Sequence, residues 1–230
     1  MKNIYYLIVI LILAVSEMAQ AQWEGQKFIS GSASLMFSNS NPDLQKSSNN
    51  YGYSFNVGLG KFKTSTRASG WNLNTSLSGS KQNFTTYNNG VPTNNEKNGI
   101  NGLGVGVGHF WQFYKHFNDK VGIFVGPDVS FRYDNSSQYS NSGDGVSLIK
   151  TKTDVVSLSA GLSAGLYYKL SDKWWITGNI AVSNFVNTNY TILKSGLDNR
   201  DYDVSQKTFN YEFSPSFQFP SVGFGVRYFL

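Results

Sequence analysis

The chain has 230 residues, no cysteine, a formal charge of +5, and 16% aromatic against only 14% charged residues. A soluble domain typically carries about 25% charged residues. The absence of Cys excludes disulfides, Cys-based metal sites and a lipid-carrying cysteine, and the scattered Lys and Arg form no basic face of the kind nucleic acid needs.

The N-terminus reads as a targeting segment. Lys2 supplies a basic start, Ile4 to Val15 is an apolar run, and Ala19-Gln20-Ala21 is a small-x-small cleavage site. The run falls well short of the roughly 20 residues that a spanning helix needs, so residues 1–21 are assigned as a cleaved signal peptide and 22–230 as one domain. No later stretch is apolar enough for a spanning helix, so a membrane location requires a barrel.

The mature chain alternates with period two, the signature of strands with unlike faces. Strand one is expected over Lys27 to Phe37, followed by an Asn/Ser loop over Asn39 to Asn50. Strand two, Tyr51 to Lys61, sets Tyr53, Phe55, Val57 and Leu59 against Gly58 and Gly60. Strand three starts at Trp71, and a long loop is expected over Lys81 to Gly99. Strand four, Ile100 to Phe113, opposes Leu103, Val105, Val107, His109 and Trp111 to Gly102, Gly104, Gly106 and Gly108. Strand five, from Val121, turns Phe124, Asp128 and Arg132 inward, and Pro127 marks a ladder defect. A loop over Asp134 to Thr153 precedes strand six, which presents Leu158, Leu162 and Leu166 outward. Strand seven, Trp174 to Val186, turns Ile176, Ile180 and Val182 outward and leads to a loop over Asn187 to Lys207. Phe209, Tyr211 and Phe213 are apolar at odd positions, and a bulge at Phe219 to Ser221 reverses the parity. The closing strand then carries Val222, Phe224, Val226, Tyr228 and Leu230 on its apolar face.

Eight strands with alternating long and short connections match an antiparallel up-and-down transmembrane barrel, all-β in class. Ten residues at about 3.3 Å, tilted about 40–45°, span roughly 23–25 Å, the height of the apolar band. With a periplasmic N-terminus, Trp23, Trp71, Trp111, Trp174 and Trp175 all fall at the periplasmic rim, as an aromatic girdle would. Asp128, Arg132, Lys169 and Arg227 point into the lumen, where charges are costly unless paired. A salt-bridge network is expected there, with Asp128 and Arg132 each finding partners on neighbouring strands. The interior glycines are expected to make room for Phe124, Arg132 or Tyr167 rather than to bind a nucleotide, since no G-x-G-x-x-G or following helix exists.

The signal peptide, the eight alternating segments and the terminal Gly225-x-x-Tyr228-x-Leu230 resemble the small outer-membrane barrels of the OmpX/Ail type and the membrane domain of OmpA. More specifically, they are similar to the outer membrane β-barrel or porin family of Bacteroidota. The resemblance implies that the barrel-assembly machinery reads the closing strand, although Leu230 stands where the family usually has Phe. Because the sequence ends on the barrel strand, no OmpA-like peptidoglycan-binding domain is expected.

His109 and His116 are the only histidines. The lipid A deacylase family resembles this fold but places Ser two residues after its His. Here Trp111 and Asn118 stand at that spacing. The reading is therefore no catalytic residue, no cofactor and no metal, with His109 at the interface and His116 in a solvated turn.

Tyr87, Tyr139, Tyr190 and Tyr202 stud the outer loops, which suit an unidentified extracellular ligand. The expected function is a monomeric, non-enzymatic outer-membrane protein with a structural, adhesive or surface-interaction role. Its expected partners are membrane lipids. Alternatives are a narrow pore for small solutes, a lipid-modifying enzyme, or a secreted lipocalin-like barrel.

Overall fold

The structure, a computed structural model, describes residues 23–41, 47–198, 203–214 and 223–230, with the side chains of 180–182 excepted. The signal-peptide assignment, Tyr202, Val222 and the bulge at Phe219 to Ser221 lie outside the described residues.

Nine strand segments follow one another: β1 (Lys27–Ser40), β2 (Ser48–Thr64), β3 (Arg67–Asn88), β4 (Val91–His116), β5 (Val121–Asn141), β6 (Leu148–Lys169), β7 (Trp174–Leu197), β8 (Val204–Phe213) and β9 (Gly223–Phe229). From β1 to β8 each segment pairs antiparallel with the next, and β9 closes the ring between β7 and β1. The barrel thus has eight staves, the last being β9, while β8 continues the sheet along the far half of β7. β9 meets β1 through Phe28↔Phe229 to Gly31↔Val226, and β7 through Trp174↔Tyr228 to Asn179↔Gly223.

One end of the barrel has tight connections. Between β4 and β5 the Asn118 side chain accepts the backbone N–H of Lys120 at 2.8 Å and of Val121 at 2.9 Å, the local side-chain-to-backbone bond that makes Asn a turn residue. Between β6 and β7 the backbone N of Leu170 donates to Trp174 at 2.8 Å. The other end differs from the expected long loops. Most of Lys81 to Gly99 is ladder, with Lys81↔Asn98 running up to Asn88↔Val91. The hairpin turns on Asn89-Gly90, both at positive φ (50° and 78°), the backbone that a two-residue turn demands and that Asn-Gly supplies cheaply. The expected loop over Asp134 to Thr153 pairs from Asp134↔Val155 to Asn141↔Leu148. The expected loop over Asn187 to Lys207 is mostly the β7–β8 ladder. These segments are polar on both faces because they stand in water, so alternation no longer reports them.

The outward positions on the barrel proper are apolar and exposed: Leu59, Leu73, Val107, Phe131, Leu158, Ile176 and Val226 among others. Opposite Gly126 and Pro127 the β4–β5 ladder is interrupted, pairing Phe110↔Asp128 and resuming at Phe113↔Val125. Pro127 has no N–H to donate. Two irregularities in the β6–β7 register, between Ala160/Gly161 and Ala164/Gly165, break the simple alternation across strand seven. The expected outward positions of Ile180 and Val182 fall on side chains outside the description.

Candidate functional site

The lumen is built in two layers. At the short-turn end, aromatic side chains on inward positions meet across the barrel: Trp23, Phe28, Phe62, Tyr114, Phe124, Tyr167, Trp175 and Phe229 form one buried cluster, with Phe110 against it. Ring centres lie 4.9 Å apart for Trp23–Trp175 and Phe62–Tyr114, 4.7 Å for Trp175–Phe229 and 4.3 Å for Tyr167–Trp175. Glycines face them. A Cβ at Gly60 would meet the Phe28 ring, at Gly165 the Phe124 ring, and at Gly122 the Tyr167 ring. A narrow eight-stranded interior is filled in this way, a large residue on one strand over a small one on the next.

This cluster corrects the expected girdle. Trp23 (6% exposed) and Trp175 (1%) are plugs inside the barrel, whereas Trp71 (61%), Trp111 (42%) and Trp174 (47%) point outward. Trp175 is out of phase with Trp174, so strand alternation sends the two to opposite faces. Trp23 precedes β1 and folds back under the barrel, held by the backbone N of Gly25 donating to Phe62 at 3.0 Å.

Arg227 is sealed into the plug at 3% exposure. Its guanidinium carbon lies 4.1 Å from the centre of the Phe28 ring, 5.6 Å from Tyr114 and 5.9 Å from Trp175. It donates to the Tyr114 hydroxyl and, at 3.0 Å, to Gln112 Oε1. Tyr114 in turn donates to Gln112 Oε1 at 2.5 Å. No carboxylate pairs with Arg227 among the described residues. Its charge is met by ring quadrupoles and neutral acceptors instead. Lys169 lies below, 4.9 Å from the Trp23 ring and 2.8 Å from Asp172. That cation and its hydrogen bond hold the Asp172 carboxyl below the usual carboxylate range.

Above the plug comes a polar belt. Arg132 Nε donates to Asp134 at 2.7 Å, while Nη1 reaches Asn74 at 2.5 Å and Nη2 reaches Ser76 on β3. The ion-pair partner is on its own strand, a correction to the expected cross-strand pairing: Asp134 faces inward two residues on. To reach β3 the guanidinium crosses β4 at Gly104, where a Cβ would overlap both it and the Asp134 carboxylate. Gly104→Ala is therefore expected to lower unfolding stability by about 1–3 kcal/mol through overpacking. Gly223→Ser, where nothing lies within 4 Å of a Cβ, is expected to change it little. Denaturant titration of the folded barrel in detergent micelles checks both.

Asp128, also expected to pair across strands, has no hydrogen bond or ion pair among the described residues. It borders a cavity of about 790 Å³ that Arg132, Asn56, Asn74, Thr177 and Arg227 also line. The four charges assigned to the lumen thus all face inward, but in place of a network the described residues hold two separate ion pairs, Arg132–Asp134 and Lys169–Asp172.

The histidines part company. His109 sits outward between Trp71 (4.8 Å) and Trp111 (4.3 Å). His116 is no solvated turn residue: it turns inward, with Nε2 2.9 Å from the Ser65 carbonyl and Nδ1 on the Tyr167 hydroxyl. A carbonyl only accepts, so Nε2 carries a proton and donates to Ser65. No group of three or more potential metal-ligating side chains occurs among the described residues.

The outer hairpins pack on one another. Tyr87 N donates to Gly145 at 2.8 Å, Lys97 bridges Asp198, and Lys97 and Lys150 lie 5.0 and 5.8 Å from the centre of the Tyr139 ring. Tyr87, Tyr139 and Tyr190, expected in loops, stand on β3, β5 and β7.

Phe28, Phe62, Tyr114, Tyr167 and Phe229 stand at inward-parity positions near the short-turn end, so strand alternation is the sequence signal that marks them as lumen residues. On the closing strand Phe224, Val226 and Leu230 are exposed outward and Tyr228 packs against Trp174 at 4.9 Å.

The sequence matches the family model described as outer membrane protein beta-barrel domain over residues 7–217. No curated protein matches it significantly. The matched stretch ends before β9, whose place in the ring rests on its registers with β1 and β7.

Proposed function

The chain belongs to the outer-membrane protein β-barrel family and resides in the bacterial outer membrane, and from that premise we propose that it is a non-conducting, non-enzymatic barrel that works through its outer, strand-built platform. The role is structural, adhesive or surface-interacting. Residues 1–21 serve as its export signal. The observation that carries this reading is the aromatic plug with Arg227 buried in it. Close-packed rings leave no path for hydrated ions, so the part of the molecule open to interaction is the platform of β3–β4, β5–β6 and β7–β8 hairpins. Short turns face the periplasm in such barrels and long connections face outward. The packed hairpins present a firm surface rather than free loops, which lowers the ordering cost of binding a partner.

The chemistry around the histidines supports the non-enzymatic part. His109 is wedged between two tryptophans and His116 is committed to Tyr167 and a carbonyl. Neither has the nucleophile and orienting acid that acyl transfer requires.

The test is single-channel recording of the purified, folded protein in planar bilayers. The expected result is no steady current steps. Steady steps from the wild-type protein would overturn the closed lumen and favour the narrow-pore reading, for which the polar cavity beside Asp128 is the one supporting feature.

A further inference from the structure

We propose that the polar cavity above the plug binds a small zwitterion, a molecule of the amino-acid class with one ammonium and one carboxylate. Two opposite charges, Asp128 and Arg227, border this cavity of about 790 Å³, and neither has an ion pair among the described residues. They cancel in sum, so the cavity suits an occupant without net charge. They stand apart, on β5 and β9, so it suits an occupant with two poles. An unpaired charge away from water is costly, and each pole of a zwitterion answers one of the two.

Gln112 joins the buried cation to the cavity. Its Oε1 accepts from both Arg227 and the Tyr114 hydroxyl, which leaves the amide nitrogen as its open donor toward the cavity it lines. An amide whose oxygen is held by a guanidinium donates more strongly through its nitrogen. Arg227 itself is 3% exposed, so the amide carries its field to the cavity wall. The spacing fits an α-amino acid. A Cβ at Gly126 would lie 2.9 Å from Gln112 Cα, so Gln112 stands beside Gly126, two residues before Asp128. Two residues of strand cover about 7 Å. Hydrogen bonds of about 2.8 Å at each end leave room for the N–Cα–C–O link between the poles. Asn72 Oδ1 is a second open acceptor on the cavity wall, buried without a partner among the described residues, and Ser30 and Thr177 add hydroxyls.

Other occupants fit worse. A metal ion needs several ligating side chains, and no group of three or more occurs among the described residues. A lone anion faces the repulsion of Asp128, and a lone cation that of Arg227, across a site where charges are poorly screened. The site does not depend on whether the lumen conducts.

The test is calorimetric titration of the folded full chain in uncharged oxyethylene micelles. The probes are glycine, L-serine, ethanolamine (serine without its carboxylate) and glycerate (serine with hydroxyl in place of ammonium). Glycine or L-serine is expected to bind saturably at one site, with ethanolamine and glycerate about 10-fold weaker or more. Asp128→Asn is expected to weaken the amino acid about 10- to 100-fold, the loss of one charged hydrogen bond. Gln112→Glu, which sets a carboxylate against Arg227, is expected to reverse the preference from L-serine to ethanolamine. Asp172→Asn, with the same loss of charge in the β6–β7 turn, is expected to leave binding unchanged. No saturable binding of either amino acid, ethanolamine or glycerate binding as tightly as L-serine, or wild-type affinity in Asp128→Asn would each overturn the proposal. Heat-modifiable gel mobility establishes that each variant is folded, and the channel recording above is unaffected by the outcome.

Discussion

Trp175→Ala is expected to lower the unfolding free energy of the barrel by about 3–5 kcal/mol, the range for emptying a fully buried large aromatic site. Its indole is stacked on Tyr167 and packed edge-on or tilted against Trp23, Phe62, Tyr114 and Phe229. Those rings come from β2, β4, β6 and β9 and from the segment before β1, so no single neighbour can close the cavity. The loss would also loosen the seat of Arg227, whose guanidinium uses the Trp175 ring as one wall. Trp174→Ala removes an outward ring whose packing partner is Tyr228, and is expected to cost about 0.5–1.5 kcal/mol. Urea unfolding of the refolded protein in phosphatidylcholine vesicles measures both. Equal costs at these adjacent positions would mean that the plug is not what holds the periplasmic half together.

Val107→Arg is expected to cost about 2–4 kcal/mol, the range for a cation on the lipid face near the midplane. Val107 points outward on β4, flanked by Leu73 of β3 and Phe131 of β5. It lies four residues from Trp111, which places it about 10 Å above the rim, near the middle of an apolar band about 25 Å tall. Val226→Arg tests the same face closer to water. Val226 pairs with Ile176 and Gly31, two residues from the Tyr228–Trp174 contact, so the side chain reaches the headgroups. Its expected cost falls toward the about 0–1 kcal/mol of an interfacial site. The same vesicle unfolding assay separates them, and a larger penalty at Val226 would mean the band is drawn at the wrong height.

The barrel was readable because lipid on one side and a narrow lumen on the other write an alternating code into every spanning stretch. Val105, Val107, Gly104 and Gly106 could be assigned to faces from their order alone. Arg132 and Tyr167 were readable as residues for which glycines make room, because a small residue in a crowded interior implies a large one opposite. The outer hairpins were less readable. Residues such as Thr85, Asn95 and Ser137 are wet on either face, so strand and loop look alike by hydropathy. Asn89-Gly90 was the one local mark of the turn, and it is a backbone signal rather than a pattern of polarity.

The site divides along the same line. Sequence alone determined the class of fold, the outward faces, the inward placement of Asp128, Arg132, Lys169 and Arg227, and the absence of a Cys-based or His-rich centre. Only the tertiary structure decided that Trp23 and Trp175 are buried inside the barrel instead of ringing it, and that Arg132 finds Asp134 and β3 rather than Asp128. The reason is that period two is a property of a single strand, whereas packing across the lumen and pairing across glycine depend on register and closure, which relate residues far apart in the chain.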